Sequence, residues 1–322
     1  MRILFICKKR GPYSHGTFGL WNSARFVADS LSATTDVVCV VDANGIDREV
    51  TLFNPDVVVL EAIWVTPMKL RELAARHSKV QWIVRIHSKA TFLAQEGVAF
   101  EWINDYVEIR NVRVSTNNRE FNDDLVKIGY PVVYLPNVYQ LVPQSAPTSS
   151  RDPSTIHIGC FGAIRLLKNH LGQAVAAIRF ADRIAKKLHF HINNDCTGSI
   201  DNVLKNLRAL FRGTRHQLVE HSWLPHDEFC EVVAGMDLGM QVSLSESFNI
   251  VTADFVRAGV PVVASKEVKH VHWLFKCHNV TGEIVRTLHL AWYFGGTRLN
   301  QKLLTRHNID AVRVWESYIN DR

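Results

Sequence analysis

Short runs of almost uniformly apolar residues, separated by segments of helical length, constrain this chain more than any other feature. Such runs occur at residues 3–7, 36–41, 56–61 and 80–86, with shorter ones at 112–115 and 132–135. A strand that is apolar on both faces must be covered on both faces, the condition of a parallel sheet between layers of helix. Helical patterns lie between the runs, for example at 18–31 and 68–76. Residues 143–153, PQSAPTSSRDP, carry no large apolar side chain and read as a linker. The pattern then restarts, with strands at 156–161, 188–192, 217–220, 238–241 and 261–264 and helices at 168–185, 202–211, 226–234 and 249–258. The tail, about 301–319, reads as one more helix. An α/β chain of two doubly wound, Rossmann-like domains is expected, 1–143 and 154–303, facing an inter-domain cleft. Ligands in such sheets bind beyond the carboxyl ends of the strands.

Composition narrows the classes. Hydrophobic residues make up 47% of the 322, ample for two cores, and no apolar run reaches the roughly 20 residues that span a bilayer. The first residues read as a strand rather than a leader. Six scattered cysteines without a C-x-x-C pair suit a reduced, cytoplasmic protein. The net charge of +6 permits an anionic partner.

Every chemical motif falls at a predicted strand end. In Ser245-Glu246-Ser247-Phe248-Asn249-Ile250 an acid stands just before a helix, Asp254 follows eight positions later, and Gly259-Val260-Pro261 turns into the next strand. A carboxylate beside helix N-terminal amides suits a ligand with both anionic and hydroxyl groups; the plainer reading is a capping acid and a surface Asp. Gly162 ends a strand and is followed by Arg165 and Lys168 at a helix start. Two cations there make a diphosphate site, or else an ordinary solvated loop. The loop Lys8-Lys9-Arg10-Gly11-Pro12-Tyr13-Ser14-His15-Gly16 follows the first strand. Its cations read either as a solvated charge run or as contacts to an acceptor phosphate. His87 and Lys89 follow another strand, and His87 reads equally as structural or as a catalytic group. His189 with His191, and His270 with His272, have ligand-like spacing but no third ligand at a familiar interval, and no metal is expected.

Together these motifs resemble the retaining GT-B glycosyltransferases of the family-four type, whose signature is Glu-x(seven)-Glu; Asp254 stands where the second Glu is usual. The chain looks like the compact glycosyltransferases encoded by tailed phages. The resemblance implies that Glu246 contacts the transferred sugar and Asp254 the nucleotide ribose. It places the amides of Phe248, Asn249 and Ile250, with Gly16, Gly162, Arg165 and Lys168, around the donor, a UDP-linked nucleotide sugar. The family's Lys follows the strand-end Gly by six positions, as Lys168 does; its Arg follows immediately, whereas Arg165 comes three later. His87 would lie near the reacting sugar, Asn137 in a structural Pro-Asn turn, and the last helix, about 304–322, back on the N-terminal domain. That domain would bind the acceptor through Lys8, Lys9, Arg10 and Lys89. The implied acceptor is a hydroxymethylated pyrimidine in duplex phage DNA, in the host cytoplasm. A cell-surface or lipid-linked glycan is the alternative, a non-catalytic GT-B domain binding DNA or glycan a third, and an epimerase on the same fold a fourth.

Overall fold

A computed structural model describes residues 1–9, 18–141, 152–194 and 201–321. Arg10, Gly16 and most of the expected linker lie outside the described residues. The chain divides into two compact units, Met1–Gln140 with His307–Arg322, and Leu141–Arg306.

The first unit contains strands β1 (Arg2–Lys8), β2 (Thr34–Val40), β3 (Val57–Glu61), β4 (Gln81–Ile86), β5 (Val112–Thr116) and β6 (Val132–Tyr134). Its helices include α1 (Phe18–Ala28), α2 (Gly45–Phe53), α3 (Pro67–Arg76), the single turn α4 (Ala90–Leu93), α5 (Ala99–Val107) and α6 (Arg119–Lys127). The sheet runs β2-β1-β3-β4-β5-β6 with every pair parallel. Alternation along β1 sorts its side chains between two cores. Leu4 and Ile6 pack with Ile46 and Val50 of α2, Leu70 and Leu73 of α3, and Ile103 of α5. Ile3, Phe5 and Cys7 face the other way, onto Ala24 and Val27 of α1 and onto Ala311 and Trp315. The last two belong to α12 (Thr297–Asn320), a helix that starts in the second unit and from His307 onward belongs to the first. Trp315 is 1% exposed, and its indole N–H donates to the Pro136 carbonyl at 2.8 Å. Without this segment, the Ile3/Phe5 face of the sheet would have only part of its cover.

The second unit contains β7 (Thr155–Gly159), β8 (Lys187–Asn193), β9 (Gln217–His221), β10 (Leu238–Gln241), β11 (Val262–Ser265) and β12 (Lys276–Cys277). Its helices include α7 (His170–Arg183), α8 (Asp201–Arg212), α9 (His226–Ala234), α10 (Ile250–Arg257) and α11 (Thr281–Phe294). The all-parallel order β12-β11-β10-β7-β8-β9 puts the switch point between β7 and β10. The expected helix at 168–185 is split: Leu166–Lys168 form a 3-10 turn, and Asn169, in the left-handed region at φ 56°, breaks the run before α7. Between 264 and the tail helix, the sequence pattern singled out neither β12 nor α11.

At the switch point Gly159 of β7 lies opposite Gly239 of β10. A Cβ on Gly239 would stand 2.7 Å from the Phe255 ring, and one on Gly159 would stand 2.9 Å from it. The two missing side chains let Phe255, itself fully buried, bring α10 down onto the sheet. Gly239→Ala is therefore expected to destabilise the protein by about 1–3 kcal/mol, the cost of overpacking a closed core. The midpoint of urea unfolding reads it, and an unchanged midpoint would show that Phe255 can move aside.

Candidate functional site

The second unit gathers several predicted site residues at the ends of β7 and β10. Gly162, at φ 112°, turns the chain out of β7, and its N–H donates to Asn193 Oδ1 at 2.8 Å. The loop after β10 is tied to the loop after β7 by three links. Gln173 donates to the Lys168 carbonyl and accepts from the Val242 N–H, both at 2.8 Å. Asn169 donates to the Val242 carbonyl at 3.1 Å, and the Leu244 N–H to the Leu167 carbonyl at 2.8 Å. These bonds set Lys168 against Glu246, and its ammonium donates to Glu246 Oε1.

Asn249 organises the acid. In the left-handed region at φ 68°, it caps α10 by accepting from the Thr252 N–H at 2.8 Å. Its amide nitrogen donates to Glu246 Oε1 at 2.9 Å and to Gln241 Oε1 at 3.0 Å. Gln241 in turn donates to the Phe161 carbonyl at 2.9 Å. Glu246 thus sits 9% exposed at a helix N-terminus with a cation and an amide on one oxygen. The Phe248 ring is buried against His270, centroids 4.7 Å apart, and Ile250 opens α10. Arg165 is exposed at the start of the 3-10 turn. His170, behind Lys168, is 1% exposed with neither ring nitrogen hydrogen-bonded, and burial with the Lys168 charge pushes its pKa down to about 4.

Asp254 is placed apart from Glu246, on the buried side of α10, where it is 1% exposed and meets His226 Nε2 at 2.8 Å. The sequence reading did not use His226. Burial alone would favour its neutral ring, but hydrogen bonds to Asp254 and Cys230 outweigh that and raise its pKa to about 10. Arg257 also reaches Cys230 Sγ, at 3.5 Å.

The first unit holds its own recess, open to solvent, lined by Lys8, Glu61, Trp64, His87 and Ser88 among others. Lys8 and His87 therefore share one recess. Lys9 continues β1 beside β2, its N–H donating to the Val40 carbonyl at 2.7 Å, and Lys89 pairs with Glu120 at 3.5 Å. Beneath the recess the fully buried Arg85 donates to both oxygens of Glu61, at 3.0 and 3.2 Å, and to the carbonyls of Leu135 and Pro136. Arg85 also donates to Asn137 Oδ1 at 2.6 Å, which fixes that amide. Asn137 Oδ1 accepts from Asn117 Nδ2 at 3.2 Å, so the same nitrogen faces His87 Nδ1 at 3.4 Å. His87 Nδ1 is then the acceptor, and Nε2–H donates to Glu61. The ring is held neutral: burial lowers its pKa, and the Arg85 charge offsets part of the pull from Glu61. Sequence reasoning missed Glu61 and Arg85. Their signal was a charged residue inside an otherwise apolar run, VVVLE and QWIVRI.

In β7, β8 and β9 the structure brings His157 and His221 beside His189 and His191. His157 Nδ1 lies 3.0 Å from His191 Nε2, and His191 Nδ1 lies 2.8 Å from His221 Nε2. The partners missing from the sequence spacing come from neighbouring strands.

No protein-family model matches the sequence, and no curated protein matches it either. Solved structures do match the fold. A trehalose-6-phosphate synthase, OtsA, superposes with a TM-score of 0.72 at 11% identity, over 99% of this chain and 98% of its own. HepE of Anabaena, in complex with UDP-glucose, gives 0.69 at 13% identity, over 100% and 98%. A TarM mutant of S. aureus, in complex with UDP, fondaparinux and α-GlcNAc-glycerol, gives 0.59 at 14% identity, over 82% of this chain and 54% of that one. The chain has the GT-B fold: two six-stranded parallel sheets, each interleaved with helices. No helix among the described residues is long and apolar enough to cross a membrane.

The raised pKa of His226 makes its bond to Asp254 a pH-dependent contribution to stability. Because the folded value, about 10, lies above the ordinary 6.5, that contribution is complete below 6.5 and is lost as pH rises through about 10. Thermal midpoints of the wild type and His226→Asn should therefore differ most below pH 6.5 and converge by about pH 10. A difference that grew with pH would mean that His226 is neutral in the folded protein.

Proposed function

We propose that this chain is a glycosyltransferase that moves a sugar from a UDP-linked donor to an acceptor hydroxyl with retention at the anomeric carbon. The observation that carries the reading is the Lys168–Glu246–Asn249 constellation at the strand ends of the second unit, on the capped N-terminus of α10. The matching folds include structures solved with UDP or UDP-glucose.

In this reading the donor diphosphate takes Lys168 as its counter-ion, with the turn at Gly162 and the amides of Phe248, Asn249 and Ile250 close by. Arg165 adds charge at the same turn. Fixed cations and helix dipole then offset the negative charge that grows on the leaving diphosphate, the work a divalent metal does elsewhere. Drawing Lys168 to the phosphate releases Glu246 Oε1 to accept from a sugar hydroxyl. Asp254 meets the ribose, and its bond to His226 holds it in orientation. The acceptor oxygen bonds to the anomeric carbon on the face the diphosphate leaves, and the departing phosphate oxygen takes the acceptor proton. The first unit binds the acceptor, and within its own recess Glu61 fixes the ring of His87.

Lys168→Ala should weaken UDP binding by about 1.5–3 kcal/mol, the scale of a hydrogen bond to a charged group, as read by calorimetry. Glu246→Gln should lower kcat more than it lowers UDP affinity, and Asp254→Asn should chiefly weaken UDP. The reverse pattern would exchange the two acids. Turnover is expected to persist in excess chelator.

For the acceptor we propose a hydroxymethylated pyrimidine in duplex DNA, the substrate suggested by the resemblance to phage enzymes. The net charge of +6, with Lys8 and Lys9 at the end of β1, supports it. Lys89 contributes less, being held by Glu120. Modified duplexes should gain sugar mass with a UDP-sugar panel, and replacing Lys8 and Lys9 by Ala should flatten the salt dependence of DNA binding by about one unit of slope each. A wild-type protein with no DNA affinity at low salt would overturn the DNA reading in favour of a glycan or lipid-linked acceptor.

A further inference from the structure

We propose that His157, His189 and His191 form a binding site for a first-row transition-metal ion of the zinc class, with His221 orienting the ring of His191. Strand register creates the site. His157 on β7 lies opposite His189 on β8, Gly159 lies opposite His191, and Asn193 lies opposite His221 on β9. Residues two apart on a strand share a face, so all four imidazoles stand on the same side of the sheet.

The geometry suits an ion. One ring nitrogen from each of His157, His189 and His191 lies within 4.8 Å of the others. The 3.0 Å between His157 Nδ1 and His191 Nε2 is close to the separation of two nitrogens on one tetrahedral ion. Zn–N bonds of about 2.0–2.1 Å place such a pair little more than 3 Å apart. His191 Nδ1 meets His221 Nε2 at 2.8 Å; donating its proton there turns the Nε2 lone pair toward the ion. That is how metal-ligating imidazoles are commonly oriented. His157 and His189 are half-buried and His191 is buried, which leaves a way in and a sheltered seat. Imidazole nitrogens select zinc, copper, nickel or cobalt over magnesium and calcium. The group His226, Cys230 and Asp254 is also close-set, but there His226 is bonded to Asp254 and Arg257 to Cys230. None of the three ligands belongs to the proposed transfer machinery, while His221 packs edge-on against Phe161, the residue before Gly162, with centroids 5.7 Å apart.

The test uses the untagged full chain, stripped with chelator and titrated with zinc chloride by calorimetry and with cobalt chloride by absorption. One ion per chain is expected, at an affinity on the order of micromolar or tighter, with the visible bands of tetrahedral cobalt. The double variant His157→Gln/His189→Gln should bind zinc at least about tenfold more weakly, and His221→Gln should lose about tenfold through the tilted His191 ring. UDP affinity should be unchanged in the double variant. His226→Asn should keep the full stoichiometry. If the double variant fails to fold, His189→Gln alone carries the test, because its ring is half-exposed. No zinc binding by the wild type, or binding that survives loss of His157 and His189 or disappears only with His226, would overturn the proposal and leave a hydrogen-bonded chain of imidazoles.

Discussion

The seating of Phe255 on Gly159 and Gly239 is the contact on which the second unit's site depends. The paired glycines lie where the strand order reverses, and they let α10 approach the sheet closely. That depth decides where the helix begins. Asn249 can cap α10 and still reach Gln241, at the end of β10, only because the first turn lies against the strand ends. Glu246 is held by Asn249, and Lys168 by Glu246. Asp254, one residue before Phe255 on the same helix, is carried to His226 by the same packing. A chemical site of several loops is thus set by one apolar contact, and its polar members inherit their positions.

The first unit solves a comparable problem with charge. Arg85 and Glu61 are fully buried, and burying ions is costly unless every polar atom is answered. Here the guanidinium has the Glu61 carboxylate, two carbonyls and Asn137, so the pair ties the ends of β3 and β4 to the turn after β6. The network reaches the recess through Glu61 and His87, and it sets both the ring's tautomer and its neutral state. Trp315 lies over the same guanidinium, its centroid 5.4 Å away, which links α12 to the strand ends as well as to the core.

Much of the fold was legible because parallel strands buried on both faces have few disguises. β10 and α9 were expected at the residues where they occur, and the other assigned strands shift by a residue or two. The losses have physical reasons. β12 is two residues long, too short for any periodicity, and the break at Asn169 depends on a left-handed backbone that an apolar pattern does not announce. At the donor end, the motifs named Glu246 and Lys168 but could not show that they pair. Arg85 and Glu61 went unread because each sits inside an apolar run, where a charge looks like a strand boundary rather than a buried partner. His189 and His191 were seen, but their companions are set by the register of β7 and β9, which spacing along one strand does not encode.

Three buried or half-buried histidines show how far surroundings, rather than residue type, decide charge. His226 Nε2 has a carboxylate and a sulfur to share its proton, and the ring is held charged to about pH 10. His87 also touches a carboxylate, but its burial outweighs that pull, the Arg85 charge adds to the burial, and the ring stays neutral. His191 lies between two other imidazoles, where burial and the neighbouring rings push its pKa down to about 3. A ring that cannot take a proton keeps a lone pair, and a buried lone pair needs either a donor or an ion. His191 has hydrogen-bonding neighbours on both ring nitrogens, yet each neighbour is itself an imidazole with the same demand. The half-buried rings of His157, His189 and His221 put the cluster at a partly solvated face of the sheet, where an ion can enter.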